Sequence, residues 1–139
     1  MRKEDWGSIN IEYVPYETDE LYKKINTQED KNYCTYELVW EMERQYIGNG
    51  RFYANESIEF NLKNARPFNH KHDDYIEFIR THKNCTIRIT SVNKTKKQVV
   101  AAEDILIKKY NPPLNKISGS SKYNDEYLNL DGNNTRIAA

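Results

Sequence analysis

Cys34-Thr35-Tyr36-Glu37-Leu38-Val39-Trp40-Glu41 runs through Met42-Glu43 into Arg44-Gln45-Tyr46-Ile47, and Gly48-Asn49-Gly50 follows. Both runs carry β-branched and aromatic residues, and only two residues part them. The pattern predicts a β-hairpin turning at Met42-Glu43, with the two glycines breaking the second strand. Downstream, residues 85–92 alternate apolar and polar side chains, which predicts a half-buried strand. Residues 73–82 read as a helix with Tyr75, Ile76 and Ile79 on its apolar side. Thr95 and Gln98 have capping-box spacing, so a second helix is expected to start there and run to Tyr110, where Asn111-Pro112-Pro113 stops it.

Elsewhere the signals are weaker. Residues 1–16 read as irregular, and residues 18–25 as a short helix that Thr18 can cap. The Asn-rich stretch 51–69 reads as a long loop holding one helical turn, and residues 117–139 as a polar tail. The expected fold class is α+β, with a small, mostly antiparallel three-stranded sheet flanked by helices. The expected division is an N-terminal extension over 1–33, the domain proper over 34–116 and the tail over 117–139.

At 139 residues the chain can bury one modest core, and 37% hydrophobic residues argue against wholesale disorder. The charged N-terminus lacks the apolar run of a secretory signal, and no stretch is long and apolar enough for a membrane helix, so a cytoplasmic, non-membrane protein is expected. Cys34 and Cys85 lie in β-like runs and read as small buried thiols of a reducing compartment. The formal net charge of zero hides an asymmetry. Residues 1–60 hold 7 Lys/Arg against 13 Asp/Glu, whereas residues 61–116 hold 12 against 5. Because fields are screened within about 8–10 Å, a polyanion responds to the local balance, and the basic middle suits DNA. Ordinary solvated lysines would give the same count.

In the last helix Val99, Ala102, Leu106 and Tyr110 form an apolar stripe. Glu103 borders that stripe, away from Lys96, Lys97, Lys108 and Lys109. A carboxyl at a core edge needs a partner, either an arginine or a divalent cation. Tyr36 and Tyr46 are either packed strand tyrosines or chemical groups. His70 and His72 form a His-x-His pair with no further His or Cys at ligand spacing nearby, so zinc is not expected.

Taken together, Cys34-Thr35-Tyr36, Tyr46-Ile47-Gly48 and Glu103 through Asn111-Pro112-Pro113-Leu114-Asn115 resemble the three motifs of the GIY-YIG nucleases, in order and with the appropriate elements between them. The resemblance covers roughly residues 34–116, and it departs from the family where Cys34-Thr35 replaces Gly-Ile. It implies a divalent-metal-dependent DNA endonuclease, a small stand-alone member of phage or restriction type, acting in the host cytoplasm if phage-encoded. Glu103 would hold one Mg²⁺ or Mn²⁺, Tyr36 would take the proton of the attacking water with help from a base such as His70, Tyr46 would position water or phosphate, and Asn115 would hold the geometry. The family's catalytic Arg corresponds either to Arg51 or to Arg66. Arg66 is preferred, since His70 follows it by one helical turn. Arg51, Lys71, Lys96 and Lys97 are the expected further DNA contacts. Two arrangements are open for the N-terminal segment: contact surface of a homo-oligomer, with Trp6, Tyr13 and Tyr16 as anchors, or packing on its own domain. Two other classes compete: a catalytically inactive DNA-binding module of the same fold, and a tyrosine-rich protein-interaction domain.

Overall fold

A computed structural model describes residues 9–13 and 30–115. The expected helix at 18–25, the tail from 117 and the anchors Trp6 and Tyr16 lie outside those residues. Among the described residues the order is β1 (Asn10–Tyr13), β2 (Tyr33–Trp40), β3 (Glu43–Arg51), α1 (Ile58–Asn64), a 3₁₀ turn (Arg66–Phe68), α2 (Asp73–Thr81), β4 (Thr86–Lys94) and α3 (Lys96–Tyr110). The class is α+β. The sheet has four strands rather than three, in the order β1-β4-β2-β3, and it is mixed: β1 runs parallel to β4, and the other pairs are antiparallel. The expected irregular stretch 1–16 therefore contributes a strand. Its side chains are mostly exposed, so no apolar alternation marks it.

The hairpin is present with its turn one residue earlier. Glu41 and Met42 both adopt positive φ (50° and 66°), the left-handed pair that matches strand twist in a two-residue turn. Gly48-Asn49-Gly50 does not break the second strand, which runs on to Arg51. The 51–69 loop is replaced by α1 and the 3₁₀ turn. Ser57 caps α1 by accepting from Phe60 N–H, and Asn61 binds both Tyr53 N–H and Tyr53 C=O at 2.8 Å.

Strand side chains alternate between faces. Cys34, Tyr36 and Leu38 of β2, Tyr46 of β3 and Ile87 and Ile89 of β4 form one core with Ala65, Phe68, Tyr75 and Ile79. The other face carries Thr35 and Glu37, and α3 packs against β2 and β3 there with Val99, Val100, Ala102 and Leu106 buried. Tyr110 does not end a buried stripe: it is 37% exposed, with the Arg44 guanidinium over its ring at 3.8 Å. Where the β2–β4 register slips around Thr35, hydroxyls complete the ladder, with Thr35 N–H donating to Ser91 Oγ and Thr35 Oγ1 2.7 Å from Thr90 Oγ1. Buried Glu37 accepts from Arg44 (2.8 Å) and Arg88 (2.7 Å), and Arg88 also pairs with Glu12 of β1. The thiols of Cys34 and Cys85 are free and buried. Among the described residues no helix is long and apolar enough to cross a membrane.

β3 is an edge strand, yet residues 112–115 fold along it. Leu114 N–H donates to Gln45 C=O, while Asn115 Oδ1 accepts from Ile47 N–H (2.8 Å) and Asn115 Nδ2 donates to Ile47 C=O (2.9 Å). One buried side chain thus pairs with both polar groups of one backbone residue, between Tyr46 and Gly48.

Candidate active site

The two glycines of β3 decide what can lie against it. A Cβ added at Gly48 would stand 2.6 Å from Cζ and Oη of Tyr36, so the Tyr36 ring occupies the space a side chain would take. A Cβ at Gly50 would fall on Cβ and Cγ of Arg66. Close backbone approach, not strand termination, is what these glycines provide. The Tyr36 hydroxyl and the root of Arg66 thereby reach the same three-residue stretch of the outer strand.

Around them is an aromatic wall. Tyr36 and Tyr46 have ring centroids 6.2 Å apart, and His70 meets Tyr46 edge-on at 5.1 Å. His70 also stacks on Tyr75 at 4.1 Å, and the Tyr75 hydroxyl donates to Pro67 C=O, fixing the 3₁₀ turn beneath Arg66. His70 Nδ1 accepts from His72 N–H, and His72 Nδ1 in turn caps α2 by accepting from Asp74 N–H. The His-x-His pair is thus engaged in local backbone capping.

Glu103 enters from α3, on the other face of the sheet, and its carboxylate accepts a hydrogen bond from Asn49, which lies between the two glycines. Burial raises its pKa from 4.5 to about 7, against the Asn49 hydrogen bond and the positive charges of Lys96 and Arg66. Burial also raises Tyr36 well above its usual range. The neighbouring tyrosines and the charge of Glu103 add to this, and Arg66 opposes it. Tyr46 is raised by burial and by Glu103, again opposed by Arg66. Burial lowers His70 to about 3, with Arg66 and His72 adding to the effect. Arg66 therefore acts on Tyr36, Tyr46, His70 and Glu103 at once, and these five groups form one electrostatic unit. Burial thus holds the His70 ring neutral at ordinary pH.

Arg51 lies elsewhere. Its guanidinium pairs with Asp30 at 2.8 Å and sits over the Tyr33 ring at 4.8 Å. Lys96, the first residue of α3, reaches the same ring at 5.5 Å. Lys71 and Lys97 are exposed. Among the described residues, no three His, Cys, Asp or Glu side chains converge as a metal cage. Asn49 and Tyr75 were not legible as site residues, and Lys96, expected only as a DNA contact away from Glu103, is close enough to act on the Glu103 carboxyl. The only available signal was the placement of Asn49 between two glycines. No protein-family model, curated protein or solved structure matches this chain.

Proposed function

We propose that the chain is a divalent-metal-dependent DNA endonuclease of the GIY-YIG type, built on a GIY-YIG-like sheet. The observation that carries this reading is the convergence at Gly48-Asn49-Gly50: Tyr36 over the first glycine, Glu103 on the asparagine and Arg66 against the second. Tyr36, Glu103 and Arg66 are among the residues that the motif resemblance singles out, with Arg51 as the other candidate for the arginine.

Glu103 suits the metal. Its half-buried carboxyl has an amide donor in Asn49, and the positive charges of Lys96 and Arg66 favour its ionised form without offsetting the desolvation. Mg²⁺ is commonly bound through one or two carboxylates with several waters retained, so a single glutamate is an adequate protein ligand. When bound, the ion would polarise the scissile phosphate and stabilise the leaving oxygen.

The chain's own residues do the rest. Arg66 offers a planar fork to the phosphate oxygens, at the point where negative charge builds up. Tyr36 is held protonated by burial, so its hydroxyl orients the attacking water by hydrogen bonding, and the proton that water loses passes to solvent. His70 accepts at Nδ1, so its neutral ring carries the proton on Nε2 and serves as a donor and as a wall for Tyr46. Asn115 fixes the backbone between Tyr46 and Gly48.

The test is nicking of supercoiled plasmid with Mg²⁺ or Mn²⁺ and with EDTA, beside Glu103→Ala. Metal-dependent nicks lost in the variant are expected. DNA binding without nicks would favour the inactive module, and neither binding nor nicks would favour a protein-interaction domain.

A further inference from the structure

Tyr33, Arg51 and Lys96 come from three separate elements, the start of β2, the end of β3 and the start of α3, and meet on one aromatic ring. Two cations gathered on one ring lie within about a Debye length of each other and repel. An arrangement of like charges is favourable where an anion is to be received. Two further features strengthen the field there. α3 is a 15-residue helix with no acidic residue in its first turn, so its positive end adds to Lys96. Lys96 also lies close enough to Glu103 to act on its carboxyl, which puts the cluster beside the candidate active site. Among the described residues two acids face the cluster: Glu103 near Lys96, and Asp30, whose Oδ2 accepts from Arg51 Nη1 at 2.8 Å and whose Oδ1 accepts from Asn32 N–H. Both side chains of that pair are nearly half exposed (43% and 46%), where an ion pair contributes little and is readily exchanged.

We propose that Tyr33, Arg51 and Lys96 form a phosphate clamp for the DNA strand flanking the scissile position, and that Asp30 occupies the place on Arg51 which a DNA phosphate takes. The inference rests on the nuclease reading and deepens it by separating two arginine roles. Arg66 serves the reacting phosphate, and Arg51 serves a neighbouring one. A carboxylate and a phosphate both accept from the guanidinium fork, so binding exchanges one anion for the other. Tyr33 keeps the two cations together when the DNA is absent.

The distinguishing experiment removes an acid. Affinity of the full chain for a fluorescein-labelled DNA duplex is measured by anisotropy in EDTA, across about 50 to 200 mM salt. Arg51→Ala and Lys96→Ala should each weaken binding severalfold and flatten the logarithmic salt dependence by about 0.9, the amount expected for one lost phosphate contact. Asp30→Asn, which keeps size and releases Arg51, should tighten binding severalfold. Tyr33→Leu should weaken it. Unchanged affinity in Asp30→Asn, or weaker binding there, overturns the exchange. Unchanged salt slopes in Arg51→Ala and Lys96→Ala overturn the clamp even where the wild-type chain binds and nicks DNA. A wild-type chain that does not bind the duplex overturns both the clamp and the nuclease reading.

Discussion

Replacing Glu103 with Gln tests the candidate site without any catalytic assay. Burial raises the Glu103 carboxyl from 4.5 to about 7, so the folded protein binds this proton more tightly than the unfolded chain does. The stability that follows is fully present below about pH 4.5 and is lost as pH rises through about 7, because above that point the folded state must carry a buried charge. Two and a half decades of tightened proton binding, at about 1.4 kcal/mol each, come to about 3 kcal/mol. Gln is neutral at every pH and lacks this dependence. The stability of Glu103→Gln relative to wild type should therefore rise by about 3 kcal/mol across the window. With a slope of about 1–3 kcal/mol per molar urea, the midpoint difference moves by roughly 1–3 M. Urea unfolding of both proteins in EDTA at each end of the window reads this directly, and the comparison cancels His70, which titrates alike in both. Excess Mg²⁺ at the alkaline end should then stabilise wild type alone, by about 2.7 kcal/mol at a hundredfold excess over its dissociation constant. A stability difference that stays constant with pH would refute the buried carboxyl, and equal stabilisation of both proteins by Mg²⁺ would remove Glu103 from the metal.

Gly50→Ala places a methyl group on Arg66 and should cost about 1–3 kcal/mol by overpacking. Adding Arg66→Gly leaves Arg66 Cα 3.6 Å from that methyl, an ordinary contact, so thermal unfolding should show most of the stability regained while nicking stays lost. A double variant no more stable than Gly50→Ala would refute the packing. Asn115→Ala strands the N–H and C=O of Ile47 and should lower stability by about 2–6 kcal/mol, as the midpoint of chemical denaturation would show, since each orphaned buried group costs about 1–3 kcal/mol. Tyr36→Phe should slow single-turnover cleavage by roughly two to four orders of magnitude while leaving metal-free DNA affinity near wild type. A rate within a few fold of wild type would leave Tyr36 as a packing residue.

The parts of the fold legible in sequence are those whose cause is local. Thr95 and Gln98 form the reciprocal cap their spacing requires, and Asn111 ends α3 in the left-handed conformation before two prolines. Helix α1 was hidden because its buried residue is Asn61, a polar side chain serving the Tyr53 backbone, while Ile58 and Phe60 are exposed. No hydrophobic period can reveal such a helix. β1 was hidden because a short, exposed strand added parallel to β4 carries its information in the partner. The glycines of β3 misled for a related reason. Locally they weaken a strand, and only the tertiary packing of Tyr36 and Arg66 explains them. Within the candidate site, tyrosines and Glu103 could be picked out by motif, whereas Asn49, the nearness of Lys96 to Glu103 and the separate surroundings of Arg51 and Arg66 required knowing which elements meet.

The strap of residues 112–115 along β3 also imposes an order of events during synthesis. Ile47 and Asn115 are 68 residues apart in the chain, so a ribosome displays the hairpin long before it makes the residue that closes its outer edge. Until then the nascent chain presents an unpaired strand, the kind of surface on which neighbouring polypeptides add strands of their own. The arrival of Asn115 removes that hazard and immobilises the backbone between Tyr46 and Gly48 in one event. Closing the exposed edge and fixing the backbone beside the two β3 glycines are thus one step, taken last.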